Sequence, residues 1–355
     1  MSDGHGQGVI SIFDGHNDTV LSLRRTGRSF FAQSGQGHVD LPRAKTGGLV
    51  GGFFAVFVED RSHAIGDELD IRAYEDASTM PPMMSTEYAQ SQALAALGTL
   101  LRLEAESDGA VKIVRTAAEV RDCIECGVFA VELHFEGAEP IDEGLEALET
   151  FHAAGLRSIG LVWSRPNRFA RGVPFKHFSS PDIGAGLTDA GKALVKACNR
   201  LGIMLDVSHL NEAGFWDLAK ISDAPIVATH CNVHAISPSS RNLLGTQLDA
   251  IRDSEGLVGI NFNVGFLRPD GVDDVADTTV AAIVDHADAM IERMGVDCVA
   301  LGSDFDGATM PGDLKDAAGL QLIVAEMRRR GYDEPSLRKI GFENWLRIFE
   351  RTWRE

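Results

Sequence analysis

Six residues carry the chemistry this sequence could perform: His16, Asp18, Glu136, His209, His230 and Asp304. Imidazole nitrogens and carboxylate oxygens are the donors that hold a divalent ion such as zinc. The first two stand in Asp14-Gly15-His16-Asn17-Asp18, directly after the apolar run Val9–Phe13. Side chains two apart on an extended chain share a face, so His16 and Asp18 point to one place and Asn17 points away. A His and an Asp at this spacing are common in solvated turns and carry little weight alone. Recurrence gives them weight. Leu133-His134-Phe135-Glu136-Gly137, Asp206-Val207-Ser208-His209, Ala228-Thr229-His230 and Gly302-Ser303-Asp304-Phe305-Asp306-Gly307 each close an apolar run in the same way.

The elements that must position them follow from periodicity. Short apolar runs bounded by turn residues occur at Val9–Phe13, Leu49–Val58, Val128–Phe135, Leu156–Trp163, Ile203–Ser208, Pro225–Thr229, Leu257–Phe262 and Cys298–Gly302, and they predict eight buried strands. Amphipathic helices are expected over Glu143–Ala154, Asp189–Leu201, Asn211–Ile221, Leu248–Ser254, Thr278–Met294 and Asp316–Arg330. Apolar strands alternating with helices predict a parallel sheet. Eight units in 355 residues favour an α/β fold of the (β/α)8 TIM-barrel type over an open sheet. No G-x-G-x-x-G follows the first strand, which speaks against a dinucleotide site. We expect a single barrel domain over 1–355 with an insertion after strand two, at about 59–127. That insertion comprises a polar excursion Arg61–Pro82, a helix Glu87–Glu106, a small extra strand Val111–Val114 and a helix Thr116–Cys126. Arg165–Gly186 reads as a long loop after strand four. Pro335–Trp353 reads as a C-terminal helix on the barrel's outside, with Trp345, Ile348 and Phe349 as core.

In such a barrel every strand end opens on one mouth, where active sites of this fold lie. Three imidazoles and several carboxylates gathered there repel or go unsatisfied without a cation, and two divalent metals relieve the conflict. His16 and Asp18 would serve one ion, His209 and His230 the other. A carboxylate such as Glu136, with two oxygens, suits the position between them. Alternation puts His134 and Glu136 on one face, so periodicity does not choose between them. Asp206 and His134 are expected to be structural.

The formal charge of −19 argues against nucleic acid or an anionic membrane as partner. The polar start, Met1–Gly8, has no leader-like pattern, and no apolar segment is long enough to span a bilayer. A cytoplasmic protein is therefore expected. Of five scattered cysteines (Cys123, Cys126, Cys198, Cys231, Cys298), three lie in apolar or strand-like runs and read as reduced, buried thiols, and Cys123-Ile124-Glu125-Cys126 reads as structural, since no second pair follows at zinc-ribbon spacing.

The words Asp14-Gly15-His16-Asn17-Asp18, Glu136-Gly137, Asp206-Val207-Ser208-His209, Thr229-His230, Ser240-Arg241-Asn242 and Gly302-Ser303-Asp304-Phe305-Asp306-Gly307 together resemble the renal (membrane) dipeptidase family, peptidase family M19 of the amidohydrolase superfamily. The resemblance implies zinc ligands His16, Asp18, His209 and His230, with Glu136 and a water or hydroxide bridging two Zn2+ ions. It also implies Asp304 as catalytic acid/base and Arg241 as the grip on a substrate carboxylate. Arg241, Trp163 and Asn261 are assigned to the substrate. The implied activity is hydrolysis of small dipeptides, L-Xaa-D-Xaa or L-Xaa-L-Xaa, by attack of the bridging hydroxide. The alternatives are an amidohydrolase for another carboxylate-bearing amide, a β-lactam or a lactone, and a metal-binding protein without turnover. A homodimer is compatible with this reading. One departure stands out. Where the family has a histidine at the end of strand four, this chain has Trp163 in Leu161-Val162-Trp163-Ser164. An indole donates one hydrogen bond and carries no positive charge, so one contact to the scissile carbonyl is altered or lost. Arg165, Asn167 and Arg168 are the nearby candidates to compensate.

Overall fold

The computed structural model describes residues 8–354 apart from 61–63, 66–67 and 70. The polar start, bar Gly8, and parts of the excursion Arg61–Pro82 therefore lie outside the described residues. The strands are β1 (Ile12–Asn17), β2 (Leu49–Phe57), the two-residue pair β3 (Ala64–Ile65) and β4 (Glu68–Leu69), β5 (Val111–Ile113), β6 (Phe129–Glu136), β7 (Leu156–Gly160), β8 (Met204–Asp206), β9 (Val227–Cys231), β10 (Leu257–Ile260) and β11 (Val299–Leu301). Eight of them follow one another in parallel as β1-β2-β6-β7-β8-β9-β10-β11, a nearly closed TIM barrel. The last seam is not a ladder. It is held by Asp18 N–H donating to Phe305 O (2.7 Å) and Asp304 N–H donating to His16 O (3.0 Å).

The helices expected between strands lie close to their expected places, whereas Thr19–Thr26 and Leu41–Gly47 form helices that were not expected, and several helices open on a side-chain cap. Thr116, Thr188 and Asn211 accept from backbone N–H groups at the starts of Ala117–Cys126, Asp189–Leu201 and Glu212–Ile221, satisfying donors that a helix start leaves free. The insertion contains the helix Thr86–Glu106 and the extra strand β5. β5 pairs with the first half of β6 (Val111↔Phe129, Ile113↔Val131), whereas β7 pairs with its second half. All five cysteines are free thiols, with Cys123 buried and Cys126 exposed on one helix. Among the described residues no helix is long and apolar enough to cross a membrane.

Three expectations change. Several strands stop short of their apolar runs at the mouth: the run to Ser208 ends as strand at Asp206, because Asp206 Oδ1 takes the Ser208 N–H (2.9 Å) and turns the chain. The Asp-Gly-His-Asn stretch lies inside β1 instead of after it, across an irregular register between Asp14 and Asn17. Gly15 is required there, since a Cβ would overlap the Trp345 ring and Thr229 O. Lastly, the C-terminal segment is broken into Glu334–Arg338, a π-turn Lys339–Glu343 and Asn344–Thr352, and it does not join the outer helical layer. Trp345, Ile348, Phe349 and Trp353 pack on Phe13, Phe53, Ala130, Met204, Val227, Leu257 and Ala300, side chains from seven strands. They plug the end of the barrel opposite the mouth. Amphipathic spacing reveals an apolar face but not the surface that receives it.

Trp345 is fully buried and donates its indole N–H to Leu301 O (3.3 Å). Trp345→Ala should destabilise the fold by about 3–5 kcal/mol, read as a lowered midpoint in urea denaturation.

Candidate metal centre

β6 sends Glu132, His134 and Glu136 to one face, at successive heights in the barrel. Glu136, at the mouth, lies between the imidazoles. Its Oε1 is 3.0 Å from His209 Nε2 and 3.7 Å from His230 Nε2, and its Oε2 is 3.6 Å from His16 Nε2. Of the two residues that alternation left open, Glu136 is the one that faces these three imidazoles. His134 stands one layer down, where Nδ1 meets Ser158 Oγ (2.7 Å) and Nε2 faces Asp206 Oδ2 at 3.7 Å. Asp206 is engaged in turn by Ser208 N, Thr229 N and Thr229 Oγ1, so both behave as structural groups.

Asp18 Oδ2 lies 3.7 Å from His16 Nε2. The Asp18 carboxylate is free for this because, as N-cap of Thr19–Thr26, it makes no side-chain capping bond. Asn17 turns the other way, donating to Asp14 Oδ2 (3.2 Å) and accepting from Thr19 N–H (3.3 Å). Two sets of donor atoms come within 4.8 Å of one another: His16, Glu136 and His230, and His16, Asp18 and Asp304. Asp304 holds a left-handed backbone (φ 63°) and accepts from Asn261 Nδ2 (2.9 Å). Gly307 backs it, since a Cβ there would overlap Asp18 Oδ2 and Asp304 Oδ1. Asp306, also left-handed, accepts from His38 N (2.6 Å), Arg28 Nη2 (3.0 Å) and Thr19 Oγ1 (3.1 Å), and so pins this loop to residues 19–38.

Of the residues assigned to substrate, Arg241 is buried beside the imidazoles. Its Nε is 3.1 Å from His209 Nδ1, its Nη2 3.2 Å from His230 O, and its guanidinium lies over Phe266. Asn261 is committed to Asp304 and to Asn263 N–H. Trp163 packs with Phe57, Tyr74 and Phe175 and lies 5.9 Å, centroid to centroid, from the His209 ring. The three proposed compensating residues are engaged elsewhere. Arg165, fully buried, donates to Glu139 Oε1 (2.9 Å) and Val58 O; Asn167 shapes its own loop; Arg168 reaches Thr86.

These positions can be set against known proteins. The model of the membrane dipeptidase family (peptidase family M19) matches residues 7–354. The chain belongs to this family. It is 49% identical to the metallo peptidase from Rhodobacter sphaeroides liganded with a phosphinate mimic of the dipeptide L-Ala-D-Ala, at a TM-score of 0.92, covering 98% of this chain and 100% of that one. It is likewise 49% identical to dipeptidase AC, at a TM-score of 0.91, covering 98% and 99% of the two chains. Dipeptidase ataJ of Aspergillus terreus is 27% identical over 97% of this chain and 85% of its own.

For a metallo-dipeptidase of this family, the orphaned polar atoms are a direct test of fit. His16 Nδ1 and Nε2 and Asp18 Oδ1 are buried with no hydrogen-bond partner, as is His134 Nε2 one layer down, whereas most buried polar groups in folded proteins are satisfied. Electrostatics agree. Burial opposes a charge on His16, yet Glu136 and Asp18 lift its pKa well above the usual range. Burial, then nearby cationic groups, push His209 and His230 well below it, leaving lone pairs free to bind. Burial raises Glu136 and Asp304. Nitrogen and carboxylate donors of this kind suit zinc.

Sequence reading missed the outer partners: Ser164 Oγ at 2.8 Å from His209 Nδ1, Thr229 Oγ1 at 2.8 Å from His230 Nδ1, and the buried pair Glu139–Arg165. It also passed over Glu132, an acid in the middle of an apolar run and hence a visible anomaly. Burial pushes the Glu132 carboxyl up to about 8, against 4.5 when exposed, despite hydrogen bonding by Ser158. The folded state therefore holds a proton there that the unfolded chain releases, so stability is full below about pH 4.5 and falls as pH rises to about 8. Glu132→Gln should flatten that loss, on the order of a few kcal/mol, in denaturation curves taken across pH 4–8. An unchanged slope would place the proton elsewhere.

Proposed function

We propose that the chain is a dinuclear zinc dipeptidase acting on small dipeptides with a free carboxylate, L-Xaa-D-Xaa or L-Xaa-L-Xaa. The observation that carries this reading is Glu136, whose two oxygens face different imidazoles, His16 on one side and His209 with His230 on the other. His16 and Asp18 would hold one ion, His209 and His230 the second, and Glu136 both. Two zinc ions supply an activated water at neutral pH and polarise the scissile carbonyl.

The protein's own groups do the remainder. Asp304 takes the proton released by the nucleophile and delivers it to the departing amine. Its carboxyl, with a raised pKa, favours holding that proton between the two events. Asn261, donating to Asp304 Oδ2, fixes which oxygen faces the substrate. Arg241, whose nitrogens contact His209 Nδ1, Cys231 Sγ and His230 O, would turn its remaining N–H groups to the substrate carboxylate. Trp163, Phe175 and Phe266 form an aromatic wall from the His209 side to Arg241. The Rhodobacter relative's complex with an L-Ala-D-Ala mimic supports this substrate class.

Metal analysis combined with a dipeptide panel tests the reading. Two zinc ions per chain and hydrolysis of L-Ala-D-Ala-type substrates are expected; fewer than two metals and no turnover on any member would sink it. Asp304→Asn should lower kcat by about 10²- to 10⁴-fold while both metals stay bound, and substantial residual activity would remove Asp304 from its role. Trp163→His should change kcat/KM for part of the panel. If every dipeptide gives the wild-type value, position 163 does not contact substrate.

A further inference from the structure

The Thr229 hydroxyl has one hydrogen and two close neighbours, with Ser208 Oγ farther off at 3.4 Å. Its Oγ1 lies 2.7 Å from Asp206 Oδ2 and 2.8 Å from His230 Nδ1. A carboxylate accepts, so the hydrogen goes to Asp206, and the oxygen is left to accept from His230 Nδ1–H. An imidazole with its hydrogen on Nδ1 carries its free lone pair on Nε2, the atom that faces Glu136. Asp206 is itself fixed, since its other oxygen accepts Ser208 N–H and Thr229 N–H, both at 2.9 Å. All three side chains are buried, so water does not compete for these bonds.

The other two imidazoles differ. His16 has no hydrogen-bond partner on either nitrogen. His209 Nδ1 meets both Ser164 Oγ (2.8 Å) and Arg241 Nε (3.1 Å); the guanidinium only donates, so Nδ1 accepts, and in the metal-free protein the hydrogen sits on Nε2, which faces Glu136 Oε1 at 3.0 Å and His230 Nε2 at 3.1 Å. At His230 the surroundings dictate the opposite tautomer, with the free lone pair already on Nε2. We infer that Asp206 and Thr229 are positioning residues that lock His230 with its hydrogen on Nδ1, presetting Nε2 as a metal ligand. The inference rests on the two-metal reading for its consequence, but the tautomer is a property of the protein alone. Groups in this relation to a metal-binding imidazole are commonly worth about 10- to 100-fold in metal affinity.

The experiment has two arms. Nitrogen-15 NMR of the metal-free protein reads the tautomer directly: His230 should carry its hydrogen on Nδ1, and a hydrogen on Nε2 would overturn the inference whatever metals the protein binds. Titration of the metal-free protein with Co2+, followed by its visible absorption, reads the consequence. Wild type should take up two equivalents, and Thr229→Ser, which keeps the hydroxyl, should match it. Thr229→Val, of equal size without the hydroxyl, should weaken one equivalent about 10- to 100-fold and leave the other unchanged; wild-type affinity for both would overturn the inference. Asp206→Asn should weaken the same equivalent, because an amide hydrogen directed at Oγ1 turns the hydroxyl toward Nδ1. That variant carries the test if Thr229→Val does not fold. Uptake of fewer than two equivalents by wild type would instead count against the two-metal reading, and the NMR arm would still decide the tautomer.

Discussion

One carboxylate sets the spacing of the whole mouth. Glu136 faces three imidazoles across its two oxygens, with Asp18 and the partly exposed Asp304 close behind, in a largely buried region. Charged and polar groups packed this tightly are costly to bury unless their geometry is held and their charges are compensated. The fold gives this residue a stiff support. β6 is eight residues long, is paired with β2 from Ala130 to Glu136, and takes β5 on its lower half and β7 on its upper half. Glu136 is its last residue. The imidazoles His209 and His230 come instead from or just beyond short strands, β8 and β9, and need side-chain partners to hold them.

Closure of the barrel and assembly of the site are the same event. β1 and β11 share no regular ladder. They are joined by the backbone bonds through Asp18 and Asp304, and by Asp14, which accepts from Ser303 N–H (2.7 Å) and Ser303 Oγ (2.8 Å). Those bonds bring Asp18 and Asp304 to one side of His16. The left-handed backbone at Asp304 and Asp306 is tolerable because aspartate visits that region more readily than most residues, and because Asp306 is tied down by His38, Arg28 and Thr19. A loop in this conformation is held by its surroundings, and the same surroundings aim its carboxylate.

Much of this was legible in the sequence. Strand positions follow from apolar runs because both faces of a barrel strand are covered, and the ligand candidates stood out because they recur where those runs end. What remained hidden depends on height and on neighbours distant in the chain. His134 and Glu136 have identical periodicity and differ only in their layer of the barrel. Thr229 and Ser164 are ordinary residues, and their role appears only when the hydroxyl is seen against an imidazole. The C-terminal helix was recognisable by its spacing, but Trp345 could have faced any apolar surface; the open end of the barrel, lined by seven strands, exists only after folding. Glu132 was the one warning available in the sequence, and its raised pKa comes from complete burial, which no local pattern shows.

Trp163 changes more than a single contact. The indole belongs to a cluster with Phe57, Tyr74 and Phe175, and the guanidinium of Arg165 lies 5.4 Å from both the Trp163 and Phe57 rings. Arg165 is neutralised by Glu139, so the positive charge beside the tryptophan is already paired. From Trp163 the wall continues through Phe175, stacked on Phe266, to the guanidinium of Arg241. Along this wall Arg241 supplies the cation that faces the imidazoles. Low polarity strengthens attraction between that guanidinium and a carboxylate, and aromatic walls exclude the water that would screen it. In the proposed reading, exchanging the family histidine for tryptophan removes a polar donor from the scissile carbonyl and gives a drier approach to Arg241. Discrimination then shifts from the bond being broken toward the carboxylate end of the substrate.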